Sequence, residues 1–246
     1  MSTLVASAAT VTWGGAGTSG APEFWNAPGT GSGQNGDPTH WNQATPPVTD
    51  GTDDTVLTGG GIKKNSTISF LAGSDMVMNN SSYFVVDGAG QHIRVDTGSL
   101  VTVNSGSTLA VSGDNSFYDI TNGGTINLAG GTLAAIGAAS NPIRAQYGIG
   151  TSAINFTELG ATIQVDNFTG ADLLTYLESK RPTGFFDIDG VQVAGFGAAF
   201  ANGNGEYLEF TGTSSAGSLT LVAIPEPFST ALLGLGGLAL ILRRRK

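Results

Sequence analysis

The chain has 246 residues, 40 % of them hydrophobic and 12 % charged, with 38 glycines, no cysteine and a formal net charge of −9. That length and apolar share can build a core without disulfides, and they exclude a disulfide-stapled miniature fold and a disordered chain. The charge is uneven: ahead of Pro225 six basic residues face eighteen acidic ones, so the body carries −12 and should repel nucleic acid and anionic membranes.

Residues 1–9 contain Ala6-Ser7-Ala8, a run of small residues like those at which signal peptides are cut, with no cationic segment before it. They read as the remnant of a signal peptide whose start lies upstream. From residue 10 to 50 there is little periodicity, and Trp13, Trp25 and Trp41 stand among Gly, Pro and Asn. This stretch is expected to cap one end of the domain, with the tryptophans as its small core or as a stacking platform for sugar rings. The pieces Thr12-Trp13-Gly14-Gly15, Phe24-Trp25-Asn26 and His40-Trp41-Asn42, followed by Asp53-Asp54-Thr55-Val56, resemble the opening of autotransporter-like β-helix repeat proteins.

Residues 51–168 repeat. Gly73-Ser74-Asp75-Met76, Gly98-Ser99-Leu100-Val101, Gly124-Thr125-Ile126-Asn127 and Gly150-Thr151-Ser152-Ala153 begin 25 or 26 residues apart. A second series runs through Ser81–Val86, Gly106–Val111 and Gly131–Ile136, with Gly160–Val165 late by four. A third joins Ile68, Ile93, Tyr118 and Ile143 at steps of 25. Three interleaved strand series with one period predict an all-β, three-sided parallel β-helix of about five coils, with glycine turning the corners. In the third series Ile68/Phe70, Ile93/Val95, Tyr118/Ile120 and Ile143/Ala145 should point inward, leaving Ser69, Arg94, Asp119 and Arg144 on the outer face.

Residues 169–223 break the pattern. Gly170–Lys180 has helical spacing, with Thr169 or Asp172 at its start and Pro182 past its end. The segments 185–193, 206–211 and 218–222 read as antiparallel strands, completing a C-terminal cap.

The outer column Arg94, Asp119, Arg144 has two readings: a surface ion-pair ladder that pins register, or a site where two guanidinium forks hold an acidic sugar and Asp119 serves as a base. The acidity of the body argues against a polyanionic substrate. Asp50-Gly51-Thr52-Asp53-Asp54 and Asp187-Ile188-Asp189-Gly190 carry alternate oxygen ligands, but both lack the closing glutamate of a calcium loop and read first as turns, with Asp187 and Asp189 weak calcium candidates. His40 and His92 have no second histidine or cysteine near them in sequence, and neither a nucleophile elbow nor a phosphate loop is present, so no cofactor is expected.

The chain ends in Pro225-Glu226-Pro227, an apolar run from Phe228 to Leu242, and Arg243-Arg244-Arg245-Lys246. Fifteen apolar residues are short for a stable span, which needs roughly 20. Residues 224–246 resemble the PEP-CTERM sorting tail of exosortase-processed bacterial surface proteins, with motif, hydrophobic helix and basic cluster in order. The resemblance implies export, transient anchoring in the inner membrane, processing by an exosortase near Pro225-Glu226-Pro227, and delivery to the cell surface or its exopolysaccharide layer. The expected function is therefore a non-enzymatic surface or matrix protein. The alternatives are a glycan-binding module using Trp25, Trp41, Arg94, Asp119 and Arg144, or a β-helix lyase or hydrolase.

Overall fold

The computed structural model describes residues 9–13, 23–24, 53–71, 73–96, 98–146 and 153–225. Trp25, Trp41, Glu226, Pro227 and the terminal Arg243, Arg244 and Arg245 lie outside them, as does the apolar run of the tail.

The described strands stack into a parallel β-solenoid. Its complete turns are β3 (Asp53–Leu57), β4 (Gly61–Lys64) and β5 (Ile68–Phe70); β6 (Met76–Met78), β7 (Tyr83–Val86) and β8 (His92–Val95); β9 (Leu100–Asn104), β10 (Thr108–Val111) and β11 (Phe117–Thr121); and β12 (Thr125–Ala129), β13 (Thr132–Ala135) and β14 (Ile143–Gln146). Four turns are therefore complete, where about five were expected, and β15 (Ala153–Glu158) and β16 (Thr162–Val165) supply two sides of another. Ahead of these turns, β1 (Ala9–Trp13) pairs in parallel with β3, and β2 (Glu23–Phe24) with β4, so the stretch expected to form a cap already contributes to two sheets.

On the third sheet the register runs Ile68–Ile93–Tyr118–Ile143, in steps of 25 as the repeat predicts. On the other two sheets the structure corrects the alignment. Thr125 pairs with Leu100 and with Ala153, and Thr132 with Thr108 and Thr162. The corner glycine equivalent to Gly73 and Gly98 is thus Gly123, which shares their positive φ, and not Gly124. Gly124 serves a different need: a Cβ there would lie 2.2 Å from the Val95 carbonyl oxygen, because the neighbouring coil passes against its backbone. Two adjacent glycines with two distinct reasons make the alignment ambiguous by one residue in sequence alone.

The interior is filled by alternate residues of all three sheets, including Phe70, Phe84, Ile93, Leu109, Ile126 and Phe156, none of them exposed. Tyr118 is buried with them, and its hydroxyl lies 2.8 Å from the Leu109 carbonyl oxygen and 2.7 Å from that of Ala134. Burial without such partners would cost the hydroxyl more than the ring gains at its tip.

The C-terminal end is closed differently on each side. On the second sheet, β20 (Gly217–Ala223) pairs antiparallel with β16, and β19 (Glu206–Gly212) with β20. On the first, β17 (Phe186–Ile188) pairs in parallel with β15, so it continues the solenoid where an antiparallel strand was expected; β18 (Val191–Gln192) then turns back on it through Asp189-Gly190, both at positive φ. On the third side, among the described residues, no strand pairs with β14 beyond β11. Helix α1 (Leu173–Lys180) takes that place, started by Asp172, whose carboxylate accepts from Thr175 N–H at 2.8 Å. Among the described residues no helix is long and apolar enough to cross a membrane.

Candidate functional site

The outward positions of the third sheet bring three sequence candidates together. Register places Ser69, Arg94, Asp119 and Arg144 in one column across β5, β8, β11 and β14. The column is not the exposed ion-pair ladder expected of it. Asp119 is only 5 % exposed. Arg94 forms its close pair with Asp96, two residues along its own strand, at 2.7 Å, while its Nε stands 3.9 Å from Asp119 Oδ2. Arg144 lays its guanidinium over the Phe117 ring, 3.5 Å from the centroid, and the other neighbour of that ring is His92, stacked at 4.7 Å with an interplanar angle of 13°. The carboxylate is thus buried beside this aromatic and cationic stack, which alternation of residues could not show because it assigns a face and not a degree of cover.

Burial sets the electrostatics. It pushes the Asp119 carboxyl above its ordinary range, with Arg94, His92 and Arg144 pulling the other way. The His92 imidazole is pushed down, again chiefly by burial, with Asp119 opposing. Three atoms of the column, Arg94 Nε, Asp119 Oδ1 and Arg144 Nε, are buried without a hydrogen-bond partner. Asp96, by contrast, is held on both oxygens, receiving Arg94 on one and Asn122 Nδ2 on the other at 2.8 Å.

Sequence reasoning missed the contribution of α1. Tyr176 reaches back from the helix to the edge of β14, where its hydroxyl accepts from Ile143 N–H at 2.9 Å and has the Ile143 carbonyl at 2.5 Å and Asn141 Oδ1 at 2.8 Å as acceptors. Lys180, one helical turn on, lies over the Tyr176 ring at 5.0 Å and 3.4 Å from Asn141 Oδ1. A cation is thereby set beside the start of the strand that carries Arg144, and burial together with Arg144 lowers the Lys180 pKa. The only sequence signal was a tyrosine and a lysine four apart at the end of a helical pattern.

The other candidates do not join this cluster. Asp187 is on β17 and its carboxyl is raised by burial; Asp189 is the first residue of the hairpin turn. Asp54 accepts from Asp75 N–H at 3.1 Å and Asp75 in turn accepts from Leu100 N–H at 2.8 Å, so these carboxylates bind neighbouring coils to one another. Among the described residues no three His, Asp or Glu side chains converge as a metal site would require. Pro225 is exposed at the last described position.

Fold and cluster together define a capped β-solenoid with a mixed-charge patch on one outer face. Beyond that class, neither protein-family models nor curated proteins nor solved structures give a match to the chain.

Proposed function

We propose that the chain is an exported, non-enzymatic structural protein of the bacterial surface or extracellular matrix, a rigid solenoid module delivered by a PEP-CTERM-type tail. The observation that carries this reading is the junction. β20 ends at Ala223 and the Pro-Glu-Pro motif begins at Pro225, so the tail-like motif follows directly on the last strand of the described body. In this reading the apolar run pauses in the inner membrane with Arg243, Arg244 and Arg245 on the cytoplasmic side. An exosortase then cuts near Pro225-Glu226-Pro227, and the acidic body reaches the exopolysaccharide layer. Mass spectrometry of the mature protein recovered from the cell surface tests this. A C-terminus near Ile224 is expected, and a surface form still carrying Arg243–Lys246 would overturn it.

A second reading, a glycan-contacting module, is favoured by the gathering of Arg94, Arg144 and Lys180 about the third face. Asp119 is covered by its neighbours, which weighs against its use as a general base toward a substrate in this arrangement. Polysaccharide pull-down and turnover assays separate the cases. Binding lost on Trp25→Ala and Trp41→Ala would place the contact at the N-terminal tryptophans, and product formation abolished by Asp119→Asn would make the protein an enzyme.

A further inference from the structure

Among the described residues, five buried side-chain polar atoms have no hydrogen-bond partner, and four of them belong to outward positions of the third sheet: Arg94 Nε, Asp119 Oδ1, Thr121 Oγ1 and Arg144 Nε. A stranded buried polar group costs free energy, so their concentration on one face has to be accounted for. Register brings three of the four to one place. Asp119 and Thr121 point the same way from β11, rooted about 6.6 Å apart at the usual rise of a strand. They are 5 % and 0 % exposed. Arg94 is level with Asp119 on β8, and its guanidinium runs along that strand to Asp96 at 2.7 Å, one residue past Val95, the partner of Ile120. The Arg94 side chain therefore passes beside the gap between Asp119 and Thr121, where its Nε stands 3.9 Å from Asp119 Oδ2, too far for a hydrogen bond. Arg144 belongs elsewhere, since its guanidinium lies over Phe117, two residues from Asp119 on the side away from Thr121.

The needs of the three atoms are complementary. Arg94 Nε–H can only donate, the ionised Asp119 oxygen can only accept, and the Thr121 hydroxyl does either, so whatever meets all three must both accept and donate. The surrounding charges cancel, Arg94 and Arg144 against Asp96 and Asp119, which favours neither a cation nor an anion. The near-complete burial of Asp119 and Thr121 leaves no way in for a large molecule. Two hydrogen bonds of about 2.8 Å meeting at one oxygen bridge atoms roughly 4.5 Å apart, which suits two side chains rooted on the same face of one strand. We propose that Arg94, Asp119 and Thr121 hold an ordered water molecule, which accepts from Arg94 Nε–H and from the Thr121 hydroxyl and donates to Asp119 Oδ1. Three partners is the usual number for a buried water. The water ties β8 to β11 outside the core, at the point where Arg94 turns from Asp119 toward Asp96.

Valine has the shape of threonine without its hydroxyl, and the sign of its effect tests the site. Removing a stranded hydroxyl stabilises a fold, whereas removing one that bonds a water leaves the water and its other partners short of a hydrogen bond. Thr55 supplies the control, because its hydroxyl is also buried without a partner but points into the core in line with Met76. In urea unfolding of the full chain, Thr55→Val should raise the midpoint. Thr121→Val should instead lower the folding equilibrium constant about tenfold, the scale of one buried hydrogen bond lost. A midpoint raised by Thr121→Val as it is by Thr55→Val would overturn the water. A crystal structure of the unaltered chain, at a resolution that places waters, tests the site without relying on any variant to fold. One water within about 3.2 Å of Arg94 Nε, Asp119 Oδ1 and Thr121 Oγ1 is expected. No water there, or a direct hydrogen bond between Asp119 and Thr121 in its place, would refute it.

Discussion

The second and third sheets obey the same alternation, yet their outer faces have opposite chemistry. On the second, the outward column Lys63, Val85, Ala110, Ala134, Gln164 is apolar in the middle. Val85, Ala110 and Ala134 are at most 5 % exposed and form a small cluster of their own with Tyr83 and Ile136 against it. On the third, the outward column is Ser69, Arg94, Asp119, Arg144, and its central carboxylate is just as covered. Pointing away from the core therefore does not mean facing water. An outward column of small apolar residues is sealed by flanking side chains that need nothing in return, whereas the covered Asp119 carboxylate draws only on the charges of Arg94, His92 and Arg144 and keeps one oxygen without a hydrogen-bond partner in the chain.

A charge placed in each column is the strongest way to break this comparison. Ala110→Asp puts a carboxylate at a position with no exposure, between Val85 and Ala134 in the column, and should cost about 3–5 kcal/mol, the scale of an uncompensated buried charge. Ser69→Asp, one coil from Arg94 in register and half-exposed, should change stability by no more than about 0.5 kcal/mol. Urea unfolding reads both. Equal losses would mean that the two outer faces differ in composition only.

The next effect concerns how each sheet ends. The second sheet is closed by β20, a strand that satisfies the edge of β16 bond for bond. At the third, among the described residues, it is the Tyr176 phenol that meets both backbone groups of Ile143. Tyr176→Phe should cost about 1–3 kcal/mol, the penalty for stranding buried backbone groups. Amide exchange should accelerate at Ile143 and leave β16 protected; uniform acceleration across both sheets would contradict a local closure.

Much of this was legible. A shared 25-residue period across three strand series fixes a solenoid, and the third series gives its register to the residue because its core positions hold bulky residues, Ile68, Ile93, Tyr118 and Ile143, with no glycine pair to blur the count. The other two series slip at Gly123-Gly124 and Gly130-Gly131, where either glycine could be the corner. The site was half legible: register put Arg94, Asp119 and Arg144 together, but their packing beside Phe117 and His92 depends on rotamers, and the approach of Tyr176 and Lys180 depends on a helix replacing a strand. Both are tertiary choices with no period to announce them.

Titration gives the smallest and most discriminating effect, because Asp119 and His92 share one cluster and respond with opposite sign. The folded state holds the Asp119 proton more tightly than the unfolded chain does, so its contribution to stability is greatest at low pH and falls as pH rises through the raised folded pKa. His92 is depressed below its ordinary value of 6.5, so its contribution is complete above that value and is lost as pH falls toward the lower folded pKa. Asp119→Asn should therefore flatten the acid side of the stability profile by removing a gain, and His92→Phe, which can keep the stack on Phe117, should raise the same side by removing a loss. Thermal unfolding between about pH 3 and pH 8, the range that brackets both ordinary pKa values, measures the pair. Should both variants move the acid limb in the same direction, the carboxylate and the imidazole would not be titrating under a common cover, and the third face would have to be redrawn as an open surface like any other.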